Sequence, residues 1–523
     1  MFRLIVLLLQ LCLAIPAVAQ VSTGGITGRV SDPSGAVVPN ATVTARHTGT
    51  GFARATVSND LGSYTILELP PGPYEVSVEA QGFSRSVLRD VEVNVGTRQT
   101  INFDLTAGAI TQEVVVVSEA PLIESTRSDI AGVVTPREIG SLPLLNRTFA
   151  GLSVIMPEAR PAGNFDPTKT RIGNFAMNGG DGRQLDVNVD GGDNKDNVVG
   201  SLLQNFAYES IQEFQVQQHR WSAESGRSIG GIVNVVTKSG SNDLHGSFFA
   251  NFRDNELRSR DFFENQTPAV AKPEFSRQEL GGSVGGPLIR DRLFYFGSLE
   301  RFRERQQIIT AAAALTQLRA IPGAEPVETI KTPYDDWLLS TKGDHTISNR
   351  QSMFYRYSYQ QNSSPNDQVG APARTDLTGG NTNDNKFHSA VVNHTFSFGT
   401  TKLNQFAFHF QNFDNKILAV TDRPNLMFPG NVQIGANTNV PQATSERKFQ
   451  FRDDFTWLAG RHDMKFGVNY IHTKLGGYFY FGAKGYQVEF FDDPVTITTN
   501  RALYPAGYAS PGAVRQINLF DGR

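Results

Sequence analysis

Residues 405–411 read Gln405-Phe406-Ala407-Phe408-His409-Phe410-Gln411, aromatic and polar side chains alternating at a period of two. Successive side chains of an extended strand point to opposite faces. Phe406, Phe408 and Phe410 therefore share one face, and Gln405, His409 and Gln411 share the other. The pattern recurs where Met353, Tyr355, Tyr357 and Tyr359 oppose Arg356, Ser358 and Gln360. It recurs again where Met464, Phe466, Val468 and Tyr470 oppose Lys465 and Asn469. Strands of ~10 residues, apolar outward and polar inward, are the pattern of an outer-membrane barrel. A soluble sandwich alternates too, so the connections have to decide.

Tight turns fall at Ile289-Arg290-Asp291, Ser348-Asn349-Arg350, Gly399-Thr400-Thr401 and Gly460-Arg461-His462. Between them lie long polar segments, at 254–274, 306–335, 361–385 and 412–445. Alternating short and long connections match periplasmic turns and extracellular loops, whereas repeated long loops are foreign to a compact soluble domain. After the first twenty residues no run approaches the ~18 apolar residues of a spanning helix. A chain that crosses a membrane without such a helix must do so as a closed barrel, because lipid cannot satisfy an open sheet edge.

Composition agrees. The chain of 523 residues holds 36 Phe, 14 Tyr and 49 Gly but only 6 Met and one Cys, which suits many strands and turns. A net charge of -3 gives no electrostatic footing for nucleic acid. Arg3, the apolar run Leu4 to Ile15, and Ala17-Val18-Ala19 before Gln20 form an export leader over 1–19. Its removal takes Cys12 with it, so the mature chain has no disulfide or thiolate site.

From Gln20 to Gly108, short β-rich runs alternate with turns such as Asp32-Pro33-Ser34-Gly35 and Pro70-Pro71-Gly72-Pro73, which predicts a β-sandwich. "GRVSDPSGAVVPNATVTA" and "NDLGSYTILELPPGPYEVSVEAQGF" resemble the carboxypeptidase-regulatory-like domain, with Gly28, Asp32, Gly35, Gly62, Tyr64, Leu69, Pro71, Gly72, Tyr74 and Gly82-Phe83 in register. Zinc peptidase chemistry needs converging His and Glu ligands. This segment has one histidine, His47, so the resemblance implies a spacer or docking module.

The segment 109–120 carries Gln112-Glu113-Val114-Val115-Val116-Val117-Ser118, and Pro121 follows. Such a β-branched run can pair with another protein's sheet edge, or belong to the preceding sandwich. Residues 121–241 include "EIGSLPLLNRTFAGLSVIMP", "MNGGDGRQLDVNVDGGDN" and "IQEFQVQQHRWSAESGRSIGGIVNVVTKSGSNDLHGSF". They resemble the plug domain of TonB-dependent receptors, most strongly at Gly226, Gly230-Gly231, Ile232, Asn234, Thr237, Lys238 and Gly240. Gln217 to Trp221 departs from the Arg-Gly-Pro common there. "RQELGGSVGGPLIRDRLFYFGSLERFR" resembles barrel strands of the Oar-like branch of that family. By this resemblance Glu113, Val114, Val115, Val116 and Val117 form the Ton box that binds TonB.

Two motifs carry no ligand chemistry. Asp186-x-Asn188-x-Asp190-Gly191 imitates a calcium loop, but Asn197 stands where a bidentate Glu is needed. Its alternation predicts a strand entering an Asp-Gly hairpin. "GGSVGG" at 281–286 lacks the Lys and Ser/Thr of a phosphate loop.

The expectation is a mostly β chain: an N-terminal β-sandwich (20–108), a linker (109–120), an α+β plug domain (121–241) and a partial antiparallel transmembrane β-barrel (242–523). About nine strands are counted, an odd number for a bacterial barrel, and the resemblance implies about 22 ending on an aromatic residue. The chain stops at Asp521-Gly522-Arg523, which predicts truncation within the barrel. The resemblance implies an outer-membrane receptor importing a scarce solute with energy from TonB. Expected partners are TonB, outer-membrane lipid and an unknown solute, with no nucleic acid, cofactor or metal. No catalytic motif appears. The alternative is an adhesion protein anchored by the same barrel.

Overall fold

The structure is a computed structural model that describes residues 23–108, 113–116, 130–142, 148–162, 175–200, 202–221, 223–260, 265, 272–460, 462–480 and 485–520. The expected leader, Gln112, Val117, Ser118, Arg461 and 521–523 lie outside the described residues.

The first unit is two facing sheets. One is built on β1 (Gly24–Ser31), β4 (Ser63–Leu69), β7 (Arg98–Thr100) and β8 (Phe103–Asp104). The other orders β3 (Ala53–Val57), β2 (Thr42–His47), β5 (Gly72–Glu79), β6 (Arg85–Val93) and β9 (Glu113–Val116). Alternation buries Ile26, Val43, Ile66, Tyr74, Val76 and Val93 between them. The Tyr64 hydroxyl reaches the Ile101 carbonyl at 2.7 Å, satisfying a polar group that burial would otherwise penalise. The Asp32 turn forms as its residues dictate. Its Oδ1 accepts from the Ser34 and Ala36 amides at 2.9 and 3.0 Å, with Gly35 at φ 84°.

The second unit is a five-stranded mixed sheet ordered β10 (Ile130–Val134), β15 (Ile211–His219), β16 (Gly231–Thr237), β13 (Leu185–Val189) and β14 (Gly192–Asp193). β11 (Arg160–Pro161) and β12 (Phe175–Ala176) form a small pair beside it. Helix α1 (Pro136–Ser141) starts at a capping box, where Thr135 and Glu138 satisfy each other's backbone amides. A short turn, α2 (Phe149–Leu152), follows.

The third unit is one antiparallel wall. Along it run β17 (His245–Asp254), β18 (Phe275–Ile289), β19 (Leu293–Ile309), β21 (Tyr334–Ser348), β22 (Gln351–Ser363), β23 (Asn381–Ser397), β24 (Lys402–Ala419), β27 (Gln442–Ala459) and β28 (His462–Phe479). The short β20 (Thr329–Lys331) pairs with β19. β17 and β28 end the sheet without pairing to each other, so the wall is not closed. The fold is mostly β, as the alternation predicts.

The outward face is apolar between two polar borders. On β27, Phe449, Phe451 and Phe455 lie between Arg447 and Trp457, ten residues apart. At ~3.4 Å per residue and a tilt near 40°, that span is about 26 Å high, close to the ~25 Å apolar band of outer-membrane barrels. Trp457 sits under the Lys402 ammonium at 5.1 Å, an amphipathic pair suited to a membrane border. Asp453 faces out inside the band, and it accepts from Asn404 at 2.7 Å. Among the described residues no helix is long and apolar enough to cross a membrane.

Two expectations need correction. Most wall strands run 13–18 residues rather than ~10. Their ladders continue past the apolar band because the inward face still has protein to pack against. Nor are the long connections merely polar loops. Those at 306–335 and 412–445 contribute α3 (Ala312–Arg319), β25 (Asn425–Phe428) and β26 (Val432–Ile434), and the chain after β28 adds β29 (Gly485–Phe490), α4 (Pro494–Thr499) and β30 (Val514–Phe520). These close into a head with its own core of Leu318, Phe428, Ile434, Phe490, Ile497 and Tyr504. Phe428 and Phe490 stack at 4.5 Å within it.

Candidate functional site

The five-stranded unit sits against the concave face of the wall, and two groups of buried charge join them. The first grows from the hairpin between β13 and β14. Asp190 and Gly191 both take positive φ, 50° and 79°, as a two-residue hairpin turn requires. The turn aims the Asp190 carboxylate at the wall. It accepts from the Thr237 amide and hydroxyl at 2.9 and 2.7 Å. Arg356 Nε lies 2.9 Å away and Lys342 Nζ 3.7 Å. All three charged side chains are buried. Burial pushes the carboxyl up, but Lys342, Arg356 and Thr237 outweigh it and hold Asp190 below its ordinary value. Arg356 also donates to the Val189 carbonyl at 3.3 Å and covers the Phe206 ring at 5.1 Å. The calcium-like motif is thus a hairpin whose last carboxylate meets two cations of the wall.

The second group is centred on Asp193, one turn further. Lys448 Nζ is 2.5 Å from its Oδ1, and Arg227 pairs with Oδ2. Lys448 also meets Glu446 at 3.2 Å, and Glu446 accepts from Asn197 at 2.7 Å. Gln450, Gln411 and Gln360 of the wall reach Asp193, Asn194 and Asn205 at 2.9–3.0 Å. Apolar contact completes the joint, because Phe387 and Phe413 stack at 4.6 Å and enter the core of the five-stranded unit. The polar inward face of the wall is therefore occupied by protein along these strands.

Gly240 carries the chain from β16 into the wall. A Cβ there would lie 2.3 Å from the Tyr295 carbonyl, so the glycine expected from the sequence is required by this close approach.

The sandwich docks at the end of the wall that bears the tight turns. Arg98 pairs with Asp463 at 2.8 Å beside the β27–β28 turn. Lys465 bridges Glu68 of the sandwich at 3.6 Å and Glu224 at 2.8 Å. The Asn242 amide donates to the Gly49 carbonyl at 2.8 Å. Gly51, at φ 70°, passes so near Asp291 that a Cβ would meet its carboxylate at 2.5 Å. Against β15, the Val95 amide donates to Glu213. Burial, with the Glu92 charge adding to it, pushes Glu213 up to about 8. A cavity of about 470 Å³ lies between sandwich, five-stranded unit and wall, lined by Phe52, Pro71, Thr237, Phe294, Lys342 and Phe354 among others.

Of the residues expected to bind TonB, Glu113 to Val116 form β9, parallel to β6 from Arg85↔Glu113 to Leu88↔Val116. β9 ends its sheet, so its other backbone edge has no strand partner among the described residues. Val117 lies outside them. The wall cations Lys342, Arg356 and Lys448 were missed as site residues. Their available signal was a charged side chain on the polar face of an alternating strand, visible for Arg356 opposite Tyr355 and Tyr357.

The outer membrane beta barrel domain family matches residues 236–320 and 312–510, just over half of the chain. The carboxypeptidase regulatory-like domain matches residues 25–106. The TonB-dependent transporter Oar of Myxococcus xanthus is 27% identical over 293 residues, covering 54% of this chain and 26% of that protein. This chain thus spans about a quarter of that curated relative's length. Among solved structures, the outer membrane transporter YddB from Escherichia coli aligns with a TM-score of 0.54 at 12% identity, over 69% of this chain and 50% of that one. The siderophore receptor PirA from Acinetobacter baumannii aligns with a TM-score of 0.46 at 17% identity, over 66% and 48%. The chain belongs to the outer membrane beta barrel domain family and carries a carboxypeptidase regulatory-like domain ahead of its wall.

Proposed function

We propose that this chain works as part of a TonB-dependent outer-membrane transporter: the wall spans the membrane, the five-stranded unit is its plug, and the sandwich faces the periplasm. The observation that carries the reading is the pair of buried charge groups, Asp190 with Arg356 and Lys342, and Asp193 with Lys448 and Arg227. Buried ion pairs are poor stabilisers compared with apolar packing. A joint built from them suits a unit that must be held specifically and also released. The similarity to Oar supports the same reading. A solute would be captured at the head and plug, and a pull on the chain ahead of the plug would loosen these joints. No covalent chemistry is needed, and the relatives found are transporters or receptors rather than enzymes.

Glu113 to Val117 remain the proposed TonB contact. The unpartnered edge of β9 supports strand addition there, with backbone hydrogen bonds supplying affinity. The test is capture of the TonB C-terminal domain by a peptide of residues 109–120. Val115→Pro removes a ladder donor and should abolish capture. Equal capture by both peptides refutes the assignment.

A second reading has its own support. The packed head over the long connections is a preformed surface of the kind an adhesion protein presents. Loss of cell attachment on deleting 420–440, with solute uptake intact, would favour it.

A further inference from the structure

Five side chains in one register line cross the outward face of the wall on adjacent strands: Tyr359, His388, Asn412, Arg447 and Lys474. The line borders the aromatic band on the side of the long connections, the extracellular side for a barrel with short periplasmic turns. Arg447 and Lys474 are directly opposite each other and exposed. Like charges placed so repel. Among the described residues no carboxylate lies within ion-pair distance of either. Arg447 spends its Nε on Asn412 at 3.3 Å, which leaves the rest of the guanidinium fork facing outward. The carboxylate in the next line, Asp414, is engaged by Asn412 at 2.5 Å.

Beside this pair the wall has a groove of about 430 Å³, with Tyr357, His388, Asn412 and Arg447 on its polar side and Phe410 and Phe449 beneath. The two phenyl rings are 5.3 Å apart, and Tyr357 fixes His388 by a 2.9 Å hydrogen bond to Nδ1. A surface with an anion receptor above and an aromatic floor below fits an amphiphile, not a free ion. An Arg fork matches phosphate oxygens in a way that a lysine alone does not.

We propose that this line binds the phosphorylated head of an outer-leaflet glycolipid. The phosphate lies between Arg447 and Lys474, and the acyl chains run over Phe410, Phe449 and Phe451. The inference rests on the placement of the wall in an outer membrane. The site relieves the repulsion between the two cations and ties the wall to the leaflet at a fixed height.

The test uses the protein expressed from its complete reading frame, extracted from outer membranes, stripped of lipid and examined by native mass spectrometry. The probes are diphosphoryl lipid A, the same lipid without phosphates, and inorganic phosphate. Diphosphoryl lipid A should bind, and Arg447→Gln with Lys474→Gln should weaken binding at least ~10-fold by loss of two charge-assisted contacts. Lys402→Gln, at the opposite border of the same face, should change nothing. If the double variant does not fold, exposed Lys474→Gln alone carries the test with a ~3-fold loss expected. Unchanged binding in the variants, equal binding of the phosphate-free lipid, or an equal loss in Lys402→Gln overturns the proposal. Binding of inorganic phosphate at lipid concentrations would make it a free-ion site and also overturn it. Absence of the protein from outer-membrane fractions would instead defeat the membrane placement itself.

Discussion

Glu213→Gln should remove a pH dependence from the docking of the sandwich. Glu213 is 1% exposed on β15, accepts from the Val95 amide and faces Glu92. Burial raises its pKa from 4.5 to about 8. The docked state therefore binds the proton more tightly than an undocked state in which the carboxyl is hydrated. Its contribution is complete below about pH 4.5 and is lost as pH rises towards 8. At ~1.4 kcal/mol per pH unit the full swing is at most about 5 kcal/mol. Glu68, in the same joint, does not produce this slope. Glu68 is held low by Lys465, Thr23 and nearby arginines against the burial that would raise it, so its stabilisation fails only in acid. The assay is maleimide labelling of Gln215→Cys in a Cys12→Ser background, because the Gln215 amide lies directly under Gly96 of the sandwich. Rates are normalised to an exposed Ser34→Cys control. Labelling should accelerate from pH 5 to pH 9 in the parent and stay flat in Glu213→Gln, whose neutral amide still accepts from Val95. Labelling that slows with rising pH, or the same slope in the variant, would refute the reasoning.

Three further outcomes are expected. Asp190→Ala leaves the buried Arg356 without its counter-ion and should cost about 3–5 kcal/mol, read as earlier melting and faster proteolysis of the five-stranded unit. Phe413→Ala empties a fully buried position stacked on Phe387, a loss of about 3–5 kcal/mol measurable by the same melt. The sandwich, expressed as residues 20–108, should be soluble and fold without disulfides. Gly28→Ala should then destabilise it by about 3 kcal/mol in urea titration, since the added Cβ would sit 1.6 Å from the Ile101 carbonyl.

Much of this architecture is local in origin and was therefore legible. Phe406, Phe408 and Phe410 needed only the two-residue period of a strand to reveal an outward face. The turns at Ile289 and Gly399 needed only their lengths and residue types. Asp190-Gly191 predicted its hairpin because few dipeptides accept two successive positive φ values. The glycine at 240 was legible as a plug-family residue, though not the carbonyl of Tyr295 that makes it necessary.

What remained hidden depends on groups far apart in the chain. Asp190 meets Arg356 across 166 positions and Asp193 meets Lys448 across 255. An alternating strand announces that a charge points inward, but not what it will find there. The packing of three segments into one head with Phe428 on Phe490 was equally invisible, because none of those segments shows a period long enough to predict a core. The run Glu113 to Val116 shows the division most sharply. Its composition determines that it forms a strand, while its parallel pairing with β6 is decided by where the sandwich leaves an edge. Sequence alone determines the periodic and local features, for which the physics is confined to a few neighbouring residues. Only the tertiary structure decides which buried charges neutralise one another, because that energy depends on distances between residues the chain separates by hundreds of positions.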